Sequence, residues 1–261
     1  MSRWSILFNK EWLESRRNFK LLWLPIVFIL LGITQPLITF YMPQILQAAG
    51  GLPEGVNFTF PELTGAQVMA STLSEQFDQL GLFIIIISMM GVVSGDKNSG
   101  MLSFMLTRST SLTEYLSSKW LAQAIIVIIS IIAGCMASYY YIDYLYSSIP
   151  FTSLLLGIGI YLVWCLFIFT FTMALSAILG KNAAVAFLSM VVLIVLKVAT
   201  VLREEVQMFN PAYLTNHAVN MITQGETLSS FAPTVVVTVL LMLILMLLTR
   251  TYLSKKELVS M

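Results

Sequence analysis

The chain is poor in charge: Asp, Glu, Lys and Arg make up 10% of its 261 residues, against about 25% in ordinary soluble domains. It is poorer still in the residues that do chemistry, with one histidine and two cysteines. Cys135 and Cys165 both fall inside apolar runs, where a cysteine behaves as a small hydrophobe, so neither a disulfide framework nor a metal cluster is expected. His217 stands alone and reads as a surface side chain rather than a ligand. A phosphate-binding loop needs GxxxxGK[ST]; Gly180-Lys181-Asn182 has neither the upstream glycine nor the hydroxyl, so this chain is not expected to hydrolyse ATP. Glu204-Glu205 offers the paired acids of some intramembrane proteases, but no arginine follows at motif spacing. No catalytic residue, cofactor or metal is therefore assigned to the chain, and no basic patch of the nucleic-acid-binding kind is present.

Charge is also scarce inside the apolar runs. Intramembrane charge marks ion and proton pathways, and Lys197 is the single candidate well inside one. It lies near the external end of its run, where a lysine can snorkel to the interface; a counter-ion role is the alternative. A secondary transporter would show broken helices and polar coupling residues at mid-membrane; Pro25, Pro36 and Gln35 are the nearest approach to that pattern. The expectation is a machine driven from outside its own membrane portion.

What the sequence has in abundance is hydrocarbon, 58% of residues, with a mean hydropathy of +0.87. A helix crosses the membrane in about 20 apolar residues. Six stretches qualify: Leu21 to Tyr41, Leu80 to Val93 with its flanks, Trp120 to Ile142, Phe151 to Leu179, Ala183 to Leu202, and Pro233 to Thr249. Threading them from a cytoplasmic amino terminus places Arg3, Lys10, Arg16, Arg17, Lys20, Lys97, Arg108, Lys119, Lys181, Arg250, Lys255 and Lys256 inside. Glu54, Glu62, Glu75, Asp78, Asp143, Glu204, Glu205 and Glu226 then fall outside. That is the positive-inside bias. The reading is an all-α integral membrane protein with six transmembrane helices and both termini cytoplasmic. The first apolar run is expected to stay as an anchor, because no small-x-small cleavage site follows it closely.

Residues 1–20 read as an interfacial amphipathic helix: Trp4, Phe8 and Trp12 gather on one face with Leu7, while Arg3, Lys10, Glu14 and Arg17 lie across from them. Glu11 interrupts the apolar face, and a plain extension of the first span is the alternative. Residues 42–79 and 203–232 are expected outside. Within them, Thr64-Gly-Ala-Gln67 has the form of a capping box, and Asn57-Phe58-Thr59 matches the glycosylation acceptor pattern. Asn210, Pro211 and Gly225 bracket a short outer helix holding Tyr213, Leu214, Ala218, Met221 and Ile222.

The most informative stretch is a polar island between the second and third spans, residues 94–119. Gly91 and Gly95 form a small-xxx-small pair, and the Gly95 to Gly100 stretch is expected to break the helix. Ser111-Leu-Thr-Glu114 has the capping-box form, so helix three should begin there and carry Lys119 into the interface. Between them, Ser99 to Thr107 reads as a short helix presenting Met101, Leu102 and Met105 either to a partner or to the headgroups.

These features together resemble the ABC-2 type permeases, the transmembrane subunits of a class of ATP-binding-cassette exporters, over essentially the whole chain. Members tend to carry a Lys-Glu pair in the leading helix, matched by Lys10-Glu11, and an acid four before a glycine after span two, matched by Asp96 and Gly100. They also tend to carry an aromatic shortly before a lysine at span three, matched by Tyr115 and Lys119, and an Asn-Pro-aromatic patch, matched by Asn210, Pro211 and Tyr213. Where members often have Pro after the loop arginine, Ser109 follows Arg108. Trp23-Leu24-Pro25-Ile26, Thr34-Gln35-Pro36, Tyr41-Met42-Pro43 and Ser118-Lys119-Trp120 look like the YxlG-type permeases. The resemblance implies that the 94–119 island docks on separate cytoplasmic ATPase subunits, which bind the ATP and magnesium, and that two permease subunits pair in the bacterial cell membrane. A membrane-bound regulator that sequesters a cytoplasmic signalling partner on the same loop is the rival reading. The substrate is not legible.

Overall fold

A computed structural model describes residues 3–48, 63–102, 104, 111–201 and 207–260, and among these the regular structure is entirely helical. Six helical segments are long and apolar enough to cross a membrane: Lys20–Leu46, Gly65–Asn98, Leu112–Leu145, Phe151–Ile178, Asn182–Ala199 and Phe231–Lys255. The protein is a multi-pass membrane protein.

The leading helix α1 (Arg3–Arg17) ends where Phe19 takes a left-handed backbone, φ 54°, and α2 (Lys20–Ala48) departs at once. Pro25, Pro36 and Pro43 all lie inside α2, which a membrane helix tolerates because neighbouring helices can re-satisfy freed backbone groups. The second span is a compound rod. Thr64 caps α3 (Gly65–Ser71) through a reciprocal box with Gln67, a π-helical stretch follows over Thr72–Gly81, then α4 (Leu82–Met89), a turn, and α5 (Ser94–Asn98). The break thus comes before Gly95, which sits inside α5; its freed N–H groups at Val93 and Ser94 donate to Ser176 Oγ at 3.1 and 3.0 Å. Gly100 ends the segment with φ +73°.

Ser111 and Glu114 form the second capping box and launch α6 (Leu112–Leu145). Then come α7 (Phe151–Ile178), α8 (Asn182–Ala199), a 3-10 turn at Pro211–Tyr213 capped by Asn210, α9 (Leu214–Gln224) closed by left-handed Gly225, and α10 (Phe231–Ser260). The core gathers on α7, whose Trp164, Tyr161 and Phe169 are fully buried, while α8 and α10 leave most of their apolar surface outward. The tightest crossing joins α2 to α6. A Cβ on Gly32 would lie 2.2 Å from the Gly134 carbonyl oxygen, and one on Gly134 would lie 2.5 Å from the Phe28 carbonyl oxygen. Only glycine lets two helix backbones touch in this way.

The helix expected on the outer face, α9, does not lie loose on a surface. Leu214, Thr215, His217, Ala218 and Ile222 are buried, and Ile222 presses on Gly157 of α7 so closely that a Cβ there would meet it at 2.5 Å. His217, expected on the surface, has no exposed area and stacks edge-on between the rings of Tyr213 and Phe231. Its helix faces the bundle, so the side chain had no route to water.

Candidate functional site

The buried face of α1 carries Leu7, Glu11 and Ser15, spaced four apart, so Glu11 does not spoil an interface but forms one. Its carboxylate is met by Lys119 of α6, whose Nζ donates to Glu11 Oε2 at 2.8 Å and lies 2.9 Å from Asp96 Oδ2 of α5. The Tyr115 hydroxyl donates to the same Asp96 oxygen at 2.6 Å. Lys10 completes the group from outside, 3.1 Å from Glu11 Oε1. Two carboxylates therefore face two ammonium groups, with Glu11, Tyr115 and Lys119 each 3% exposed or less. Partial burial is the largest single influence on the Lys10 ammonium and works against it, but the carboxylates of Glu11, Asp96 and Glu14 together outweigh it and hold the Lys10 pKa above its usual value.

Two further contacts fasten α1 to α6. Trp4 Nε1 donates to Ser117 Oγ at 3.0 Å, and Gln123 Nε2 donates to Ser15 Oγ at 3.1 Å. Trp4, Phe8 and Trp12 stack on one another along the flank of α1, centroids 5.5 and 6.2 Å apart. On the far side, α5 is tied to the α7–α8 turn: Lys97 Nζ donates to the Ala177 carbonyl at 2.6 Å, Asn98 Nδ2 to the Gly180 carbonyl at 3.1 Å, and Ser94 Oγ to Asn182 Oδ1 at 2.6 Å. One ionic cluster thus joins α1, α5 and α6 at the end of the bundle where α1 lies.

The residues expected to present a docking face divide. Glu11, Asp96, Tyr115 and Lys119 converge inward, with Lys10 partly exposed at the rim, so they hold helices together rather than offering a surface. Leu102 is also turned in, at 6% exposed, against the expectation that it faces a partner. Met101 and Phe104 are exposed, and Gly100 supplies the sharp exit that places them there. Met105 and Arg108 lie outside the described residues, as do Glu54, Asn57, Glu62, Arg203, Glu204 and Glu205.

A second ionic site was missed. Lys197 does not snorkel: its ammonium turns into the bundle and pairs with Asp78, which lies in the π-helical stretch with its side chain 1% exposed. Trp164 Nε1 donates to Asp78 Oδ1 at 3.1 Å, Lys197 donates to Thr215 Oγ1 at 3.3 Å, and the Trp164 ring lies 6.0 Å from the ammonium. Asp78 lies in the Gly65–Asn98 rod, in the part expected to stand outside the membrane. The available signal was Lys197, a lone charge in an apolar run; Asp78 sits among Glu75, Gln76 and Gln79, which hid it. Nearby, Gln35 of α2 donates to Glu75 at 2.9 Å and accepts from Gln76 at 3.0 Å.

Comparison with known proteins gives a family and a relative. The chain is 34% identical over 239 residues to the uncharacterized transmembrane protein YxlG of Bacillus subtilis (strain 168), covering 92% of each chain. Its description names a transmembrane protein and no activity. A family model, described as a protein of unknown function (DUF2705), matches residues 18–259, nearly the whole sequence. The chain therefore belongs to the DUF2705 family.

Proposed function

We propose that the protein is the membrane-spanning permease subunit of an ABC-2 type exporter in a bacterial cell membrane, with both termini cytoplasmic. It forms the substrate path with a second copy or a related chain and takes its energy from separate ATPase subunits that bind the nucleotide and magnesium. It contributes no catalytic residue of its own. The observation that carries the reading is the convergence of Lys10, Glu11, Asp96, Tyr115 and Lys119 in one buried cluster. The same residues carried the resemblance to that class, and they are far apart in sequence.

The arrangement has a mechanical sense. Met101 and Phe104 leave the bundle immediately beyond Gly100. A push on them is passed to α5, whose Asp96 is clamped through Lys119 to α6 and α1. The ATPase couples to transport insofar as each of its states binds one arrangement of this segment better than another.

Copurification tests the reading. Met101→Asp with Phe104→Asp should leave the protein inserted while an ATP-binding partner is lost from the purified complex. A partner that binds no nucleotide would favour the regulator instead, and retention of the ATPase by the double variant would remove the docking claim. Single cysteines at Lys97 and Tyr144, in a background without Cys135 and Cys165, test orientation: labelling of position 97 from outside by an impermeant reagent would reverse it.

A further inference from the structure

The ionic cluster forms only one wall of a half-open cavity of about 560 Å³ lined by α1, the start of α2, α4, α5 and α6. Lys20, the first residue of α2, lines another wall. Its ammonium donates to the Ser88 carbonyl at 2.7 Å and touches Met89 Sδ at 3.1 Å, and no carboxylate among the described residues is ion-paired with it. A lysine held in this way has a proton left to give. Gln123 lines the same space, 5% exposed; its amide nitrogen is used by Ser15, and its Oε1 has no hydrogen-bond partner among the described residues. A buried amide oxygen left unpaired is costly. Glu14 adds a half-exposed carboxylate, only loosely engaged by Lys10 at 3.5 Å.

The cavity thus offers a lysine with one donor to spare on one side, and an unpaired amide oxygen and a loosely held carboxylate on the other. Three lining carboxylates, Glu11, Glu14 and Asp96, stand against two lining ammonium groups, Lys20 and Lys119, with Lys10 touching Glu11 and Glu14 from beyond the lining, so the site has no surplus positive charge to spend on a simple anion. A ligand carrying an anionic oxygen group and an ammonium fits both sides. Its depth is set by Lys20, which opens an apolar span, and by the lining residue Trp23, an aromatic of the kind that sits at headgroup level. Trp23 and Ile87 line the cavity with outward-facing apolar surface, 37% and 49% exposed, which suits emerging acyl chains.

We propose that this cavity binds the headgroup of a zwitterionic aminophospholipid of the phosphatidylethanolamine type. The phosphate accepts from Lys20, and the ammonium donates to Gln123 Oε1 and to Glu14. Occupancy fills the gap between α1 and the α4–α5 turn, so the lipid becomes a structural part of the end of the bundle that holds the ionic cluster. This inference does not depend on the permease reading.

The test uses the full-length protein, stripped of lipid in detergent and titrated with phosphatidylethanolamine, phosphatidylglycerol or free O-phosphoethanolamine, with bound lipid counted by native mass spectrometry and thermal midpoint followed in parallel. Phosphatidylethanolamine should bind at one saturable site and raise the midpoint more than either comparator. Lys20→Gln and Gln123→Leu should each weaken that binding by about tenfold, the scale of one charge-assisted hydrogen bond. Lys20→Arg should restore most of it, and Leu13→Gln on the exposed face of α1 should leave it unchanged. Equal binding of phosphatidylglycerol would overturn the zwitterion assignment, and equal protection by O-phosphoethanolamine would overturn the lipid. Unaltered binding in well-folded Lys20→Gln and Gln123→Leu would overturn the site.

Discussion

Glu11 and Lys119 are 108 residues apart in the chain and 2.8 Å apart in space, and both are buried. A buried ion pair contributes little net stability when intact, because desolvation offsets attraction, yet removing one partner strands a charge at a cost of about 3–5 kcal/mol. Glu11→Leu leaves Lys119 paired with Asp96 and should lower the thermal midpoint in detergent only moderately. Lys119→Met should do worse, since it leaves Asp96 with the Tyr115 hydroxyl alone and Glu11 with the partly exposed Lys10 alone. The exchange Glu11→Lys with Lys119→Glu should recover only part of the loss, because Asp96 would then face a carboxylate. Equal destabilisation by the two single variants would argue against Lys119 as the shared partner.

The Asp78–Lys197 pair leads to a different expectation, because Trp164 and Thr215 give each charge a second partner. Lys197→Met should cost more than Asp78→Asn, which keeps an acceptor for Trp164 and leaves a lysine that is 28% exposed by side chain. Thermal midpoints of the two variants, measured side by side, decide it. A smaller loss in Lys197→Met would mean that the ammonium is not buried against Asp78.

At the α2–α6 crossing, Gly134→Ala should destabilise by about 1–3 kcal/mol, the usual range for overpacking, because its Cβ would land 2.5 Å from a backbone oxygen that cannot rotate away. Gly159→Ala is the matched control, since nothing lies within 4 Å of a Cβ there. Comparable unfolding midpoints for the two variants would contradict the close approach.

His217 supplies a pH dependence. Burial pushes its imidazole down from 6.5 to about 4, so the folded protein keeps it neutral over a range in which the unfolded chain protonates it. Its contribution is complete above pH 6.5 and is lost as pH falls from 6.5 toward 4. A melting series across that window should show a steeper acid loss for the wild type than for His217→Leu. Parallel curves would place the titration elsewhere.

The features legible in the sequence were those with a local cause. Thr64 with Gln67, Ser111 with Glu114, and Asn210 with Gly225 each mark a helix end through residues three to fifteen positions apart, and each helix end is where those residues place it. Long apolar runs were equally plain. What escaped notice was whatever needed a partner from a distant helix. Lys197 and Asp78 looked like an interfacial lysine and an outer acid because hydropathy has no means of pairing them. Glu11 looked like a flaw in an apolar face because the true buried face of α1 is the 7-11-15 row, set by what α6 presents to it. The π-helical stretch at Thr72–Gly81 has no composition of its own, and Leu102 and His217 faced inward because of where their segments docked.

The bare contact of Gly32 on Gly134 has one further consequence. Two rods that touch through their backbones can swivel at that point but can neither interpenetrate nor slide freely, which makes the contact a fulcrum. Along α6, Lys119 lies 15 residues to one side (134 − 119), and Tyr146, whose hydroxyl grips the Pro36 carbonyl, lies 12 to the other (146 − 134). At a rise of about 1.5 Å per residue, the two arms are roughly 22 and 18 Å. A tilt of α6 that displaces Lys119 by some distance returns about four-fifths of it, reversed in direction, at the opposite end of the bundle.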